Sequence, residues 1–296
     1  MPTLADIEEQ IARNTPSRPQ VVDAFRRNAL AELSKKTGRN TIAYYSGWLD
    51  RPVGRTDING FMNVVHGMDR RKGLDLILHT PGGGIAATEN IVSYLRGLFG
   101  TDVRCVVPQL AMSAGTMIAC AARQIIMGRQ SSIGPIDPQL NGVPCHGVVE
   151  EFKTAARQVK RDGSKFGVWS PILQQYIPTF LGECQKAIDL SRELVTEWLE
   201  TGMFAGDPGR KAKARKVVKA LSDHAETKTH DRHISAERAR AIGLTVCDLE
   251  SDNELQDLVL TVHHTFMLTF GHTGLIKMIE ADSGRGYYQR APETRK

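Results

Sequence analysis

Residues 74–127 read LDLILHTPGGGIAATENIVSYLRGLFGTDVRCVVPQLAMSAGTMIACAARQIIM, and their order of local patterns decides the fold class. Leu74 to His79 is an apolar run of strand length that stops at Thr80-Pro81-Gly82-Gly83-Gly84. Residues 85–98 then space their apolar side chains as a helix does, 103–108 is a second strand, 113–122 a second helix and 124–127 a short third strand. Strand, turn, helix and strand in repetition are βαβ units, which need right-handed crossovers and a largely parallel sheet. In such sheets function gathers at the carboxyl ends of the strands.

On the N-terminal side, Val21, Phe25, Leu30 and Leu33 give 20–36 a helical spacing, 41–48 is β-branched and aromatic as a strand is, and 57–68 reads as a helix. Past Gln130 the pattern changes. Residues 131–144, SSIGPIDPQLNGVP, are turn formers and predict a structured loop. Beyond them helices are expected over 148–160, 171–201, 209–222, 236–242 and 253–270. The chain thus divides into a helical segment 1–40, an α/β core 41–145, a mainly helical half 146–281 that completes the domain, and a polar tail 282–296 expected to fray.

The chain has 296 residues, 41% hydrophobic and 24% charged, the balance of a globular protein with a real core. No apolar run is long enough to cross a membrane as a helix. Residues 1–15 carry Asp6, Glu8 and Glu9 and no apolar core of a secretory signal, so a cytoplasmic location is expected. The five cysteines, Cys105, Cys120, Cys145, Cys184 and Cys247, are scattered and never paired as C-x-x-C, which predicts neither a disulfide framework nor a zinc site. Arg210, Lys211, Lys213, Arg215, Lys216 and Lys219 crowd one helical stretch whose other face is Val217, Val218 and Leu221. This reads as a solvated helix face. No aromatics interleave with the charges, so nucleic acid is not expected, while peripheral membrane association stays open.

Two turns can carry chemistry, and both are expected at the same end of consecutive parallel strands. Gly82-Gly83-Gly84 can turn sharply and leave bare amide donors for an anion. A phosphate is disfavoured, because neither G-x-x-x-x-G-K-[ST] nor G-x-G-x-x-G is present. The other anion that such donors serve is the oxyanion of acyl transfer. The second turn, Gln109 to Thr116, brings Ser113 to the start of a helix with Ala114 and Gly115 beside it. Small neighbours leave room for a carbonyl, and a helix N-terminus favours developing negative charge. Ser113 can equally serve as a helix cap, the commonest role of serine at such a position. The elbow pattern G-x-S-x-G is matched only at Gly115, since Ala111 stands at its first glycine.

LILHTPGGGIAATENIV, VPQLAMSAGTMIACAA and SSIGPIDPQL, in this order, resemble the Clp protease/crotonase superfamily, and within it the serine dehydrogenase proteinase family related to signal peptide peptidase A. LSDHAETKTHDRHISAERARAIGL and VHHTFMLTFGHTGLIKMIEAD extend the likeness over about residues 41–282. The resemblance implies a Clp/crotonase-like α/β fold and a serine peptidase acting on peptide or protein. It further implies Ser113 as nucleophile, the Gly83 and Ala114 amides as oxyanion hole, no cofactor or metal, and a homo-oligomer.

A serine hydroxyl needs an adjacent base to attack at neutral pH. The Clp branch has a histidine one strand and a loop after its serine, but here that stretch is Ile136-Asp137-Pro138-Gln139. The signal peptide peptidase A branch uses a downstream lysine, often from another subunit or repeat, and Lys153, forty residues after Ser113, fits best. Free lysine has a pKa of about 10.4, so its environment would have to lower it. His230 and His233, in KTHDRHIS, are the alternative bases, His230 first, although both precede a helix and can instead order a loop. His263 and His264 are adjacent in a helix and point apart, which disfavours a shared metal, and the neighbours Cys145 and His146 make a poor nucleophile and base couple. Two rival functions remain: a crotonase-like acyl-CoA enzyme that needs no serine, and a catalytically silent oligomeric scaffold.

Overall fold

The computed structural model describes residues 3–14, 19–47, 52–222, 230 and 232–291. Two helices open the chain, α1 (Leu4–Asn14) and α2 (Pro19–Thr37), and lead to β1 (Asn40–Ser46). The α/β alternation follows: α3 (Asp57–Val64), β2 (Leu74–His79), α4 (Ile85–Phe99), β3 (Val103–Val107), β4 (Leu110–Ala111), α5 (Ala114–Ala121) and β5 (Gln124–Met127). Three short strands, β6 (Ser132–Ile133), β7 (Gln139–Leu140) and β8 (Val143–Pro144), precede helices α6 (Cys145–Arg161), α7 (Phe166–Leu173), α8 (Phe180–Trp198) and α9 (Arg210–Ser222). The chain then runs through β9 (Ile234–Ser235), α10 (Ala236–Ile242), β10 (Val246–Asp248), α11 (Asn253–His272), β11 (Leu275–Ala281) and β12 (Gly286–Arg290).

Seven strands form the central sheet in the order β10-β5-β3-β2-β1-β11-β12. From β10 to β1 neighbouring strands are parallel, while β11 and β12 are added antiparallel. Both faces are covered, so β1 and β2 are buried along their whole length. Alternate residues of β1 serve different cores. Ile42 and Tyr44 face the layer that includes α3, α4, α5 and α8, and Ala43 and Tyr45 face α2 and α11. Each fully buried Leu, Ile or Phe side chain contributes about 1.5–3 kcal/mol. On the α2 face a buried ion pair adds direction to the packing: Arg26, on α2, meets Glu280 of β11 and also donates to Thr269 Oγ1 of α11 at 2.7 Å.

The mixed α/β architecture agrees with the fold read from the sequence, and the mainly helical half beyond residue 145 also returns β10 and β11 to the central sheet. Two local expectations need correction. The helix expected over 171–201 is broken into α7 and α8, because Pro178 lacks an N–H and Thr179 takes a left-handed φ of 71°. The tail expected to fray forms β12, paired with β11 across a tight turn in which Gly284 has φ 79° and its N–H donates to the Ala281 carbonyl. Residues 292–296 of that tail lie outside the described residues.

Candidate active site

The two loops singled out in the sequence are joined through one residue. Thr80, just beyond β2, donates its N–H to the Leu110 carbonyl at 3.1 Å and accepts the Met112 N–H at 3.0 Å, a parallel bridge to Ala111. Its hydroxyl accepts the Gly82 N–H at 3.2 Å. The glycine turn and the Ser113 turn are therefore fixed to each other. Gly115 permits the close approach, because a Cβ there would lie 2.6 Å from Thr80 Cγ2.

Ser113 adopts φ 50° and ψ −112°, a conformation L-residues seldom hold, at the N-cap position of α5. Its hydroxyl makes no cap hydrogen bond, so the capping role is not the one observed. Ser113 is partly buried, whereas Met112, Ala114, Gly115 and Thr116 around it are buried. Ser113 is thus strained, uncapped and partly exposed at a strand-to-helix turn.

The donors follow from backbone geometry. Val53 forms a one-residue parallel bridge to Gly83, its N–H donating to the Gly82 carbonyl at 2.6 Å and its carbonyl accepting the Gly84 N–H at 3.0 Å. In such a bridge the central residue's own N–H points to the opposite edge, so the Gly83 N–H is turned away from Val53. Ala114 is the first residue of α5, and its N–H has no preceding turn to bond to. Gly83 and Ala114 thus stand one on each of the two loops that Thr80 ties together.

A second, three-stranded sheet in the order β4-β6-β9 organises the rest. β4 and β6 are parallel, and β9 is antiparallel to β6. The chain leaving β4 reaches Ser113 after two residues, the chain leaving β6 reaches Asp137 after four, and His230 lies four residues before β9. All three therefore stand at the same end of one small sheet. His230 Nδ1 lies 3.1 Å from Asp137 Oδ1, with side-chain exposures of 19% and 1%. With the Nδ1 proton donated to Asp137, Nε2 is the ring's proton acceptor. Gly134 N–H donating to Thr116 Oγ1 at 2.8 Å ties the loop that carries Asp137 to the helix that Ser113 opens.

Lys153 is exposed on α6, whose buried face is Cys145, Val148, Val149 and Ala155. Among the described residues no hydrogen bond or ion pair joins it to Ser113, and the nearby Glu151 is engaged by the Tyr176 hydroxyl. Burial and the neighbouring Cys184 push the Cys145 thiol up to about 12. His263 is buried against Tyr45 and held near a pKa of about 3 by burial first and by His79 and His264 second. Among the described residues no cluster suited to a metal occurs. The basic helix α9 buries Ala214, Val217, Val218 and Leu221, and its lysines and arginines are exposed. Sequence reasoning missed Asp137 as the partner of His230. The available signal was an acid at the place where the Clp pattern has its histidine.

The model of the ClpP-like SDH-type serine proteinases matches residues 26–267. The chain belongs to that family. It is also 30% identical over 190 residues to the uncharacterized protein MJ0137 of Methanocaldococcus jannaschii, an overlap of 64% of this chain and 59% of the relative. To the uncharacterized protein MJ1495 of the same organism it is 31% identical over 173 residues, 58% of this chain and 51% of the relative. The chain thus matches little more than half the length of either. The family is one of serine proteinases, and none of the described helices is long and apolar enough to cross a membrane.

Proposed function

We propose that the chain is a serine endopeptidase in which Ser113 is the nucleophile, the Gly83 and Ala114 amides form the oxyanion hole, and His230, oriented by Asp137, is the base. The observation that carries this reading is the β4-β6-β9 sheet, which sends Ser113, Asp137 and His230 out of one end. Ser113 Oγ attacks the peptide carbonyl carbon as His230 Nε2 takes its proton. The tetrahedral oxyanion is held by the two amides, each such donor being worth about 10²–10³ in rate. The C–N bond then breaks, His230 returns the proton to the leaving amine, and an acyl-Ser113 intermediate is left. Water, deprotonated by the same ring, cleaves that ester and restores the serine.

The alternative base, Lys153, is exposed and among the described residues makes no hydrogen bond or ion pair with Ser113, Asp137 or His230, which favours the histidine. A homo-oligomer belongs to the same reading. The exposed apolar side chains Phe166, Val168, Ile172 and Ile177 on and after α7 offer such an assembly a surface. Intact-mass analysis after treatment with a fluorophosphonate tests the reading, with one adduct expected on the native chain and none on Ser113→Ala. No adduct in any oligomeric state points to the silent scaffold, and CoA binding with activity unchanged in Ser113→Ala to the crotonase-like enzyme.

A further inference from the structure

Asp57 and Lys277 form an ion pair buried between α3 and β11. Lys277 Nζ lies 2.9 and 2.8 Å from the two Asp57 carboxylate oxygens, with side-chain exposures of 6% and 0%. The Tyr44 hydroxyl donates to Asp57 Oδ2 at 2.5 Å, and Gln289 Nε2 approaches Oδ1 at 3.4 Å. Burial, with the Asp57 carboxylate second, raises Tyr44 well above the ordinary phenol range and keeps it a donor. A buried pair of this kind contributes little net stability, since desolvation offsets its attraction, so what it delivers is geometry.

That geometry is directed at one residue. Lys277 Nζ also donates to the Pro52 carbonyl at 2.8 Å, and Asp57 Oδ2 accepts the Gly54 N–H at 2.8 Å. The two partners of the ion pair therefore grip the backbone on either side of Val53. Val53 in turn clamps the Gly82 carbonyl and the Gly84 N–H, and a Cβ on Gly83 would stand 2.3 Å from the Val53 nitrogen.

We propose that Asp57 and Lys277 are positioning residues for the Gly83 oxyanion donor, acting through the Val53 clamp. This rests on the reading of Gly83 and Ser113 given above. Lys277 comes from the last third of the chain, so the catalytic loop is set only when β11 has joined the sheet.

The test is the kinetics of phosphonylation by a fluorophosphonate-rhodamine probe on the full chain, resolved into KI and kinact and normalised to the labelled fraction at end point. Lys277→Met is expected to keep KI within twofold of the native chain and to lower kinact at least tenfold, because the donor is displaced from the developing oxyanion. A merely structural role would lower the thermal midpoint and the labelled fraction but leave kinact per labelled site unchanged. Should Lys277→Met fail to fold, the double variant Asp57→Asn, Lys277→Met removes the unpaired buried charge and still releases the Pro52 carbonyl. A folded variant with kinact within threefold of native overturns the positioning role while the peptidase reading stands. A native chain with no Ser113-dependent labelling overturns the peptidase reading, and this proposal falls with it.

Discussion

A Cβ placed on Gly82 would lie 2.7 Å from Ser113 Cβ and 3.3 Å from Ser113 Oγ. The first glycine of the loop is thus as much a part of the serine's seat as α5 itself, and its φ of 118° suits glycine alone. Gly82→Ala is expected to displace Ser113 and to slow fluorophosphonate labelling by ~100-fold, the cost of moving a reacting atom by about 1 Å. Labelling at the native rate would remove Gly82 from the site.

Ser113 itself holds strain. A non-glycine residue in such a conformation costs about 1–3 kcal/mol, against which glycine loses more freedom on folding. Ser113→Gly should abolish labelling and yet raise the urea midpoint, by about 1 kcal/mol in stability. A lower midpoint would mean that the serine side chain stabilises the turn.

The identity of the base separates cleanly by substitution. His230→Gln and Asp137→Asn are each expected to lower the labelling rate by about 10²–10⁴, since one removes the acceptor and the other its orientation. Lys153→Met should stay within about twofold of native. The reverse pattern would transfer the role to the lysine.

Acid sensitivity follows from His263. Its ring protonates near pH 3 in the folded chain and at about 6.5 when unfolded, so the unfolded chain binds the extra proton between those values. The stability from burying the neutral ring is complete above pH 6.5 and is lost progressively as pH falls toward 3. At pH 5 the loss is about 2 kcal/mol. Urea unfolding at pH 7.5 and 5.0 should show this difference, and His263→Gln, which keeps an acceptor for the Tyr45 hydroxyl, should reduce it.

Phe166 and Ile177 are 63% and 68% exposed, more than an isolated chain has reason to show on one short segment. Light scattering is expected to give a mass above that of one chain, and Phe166→Glu with Ile177→Glu should lower it. An unchanged mass would place the contact elsewhere.

The sequence by itself determined the βαβ core, because runs such as Leu74 to His79 and the helix that begins at Ile85 carry their periodicity locally, and local periodicity is what burial on two faces requires. It also singled out the turns that hold Gly83, Ser113 and Ala114 as candidates, since turn chemistry is written in adjacent residues. Only the tertiary structure brought Asp137 to His230, ninety-three positions away, and Lys277 to Asp57 across two hundred and twenty. Those pairings depend on which strands lie side by side. Neither partner's neighbours in sequence record the choice, which the packed sheets make by placing β6 between β4 and β9, and β11 beside β1.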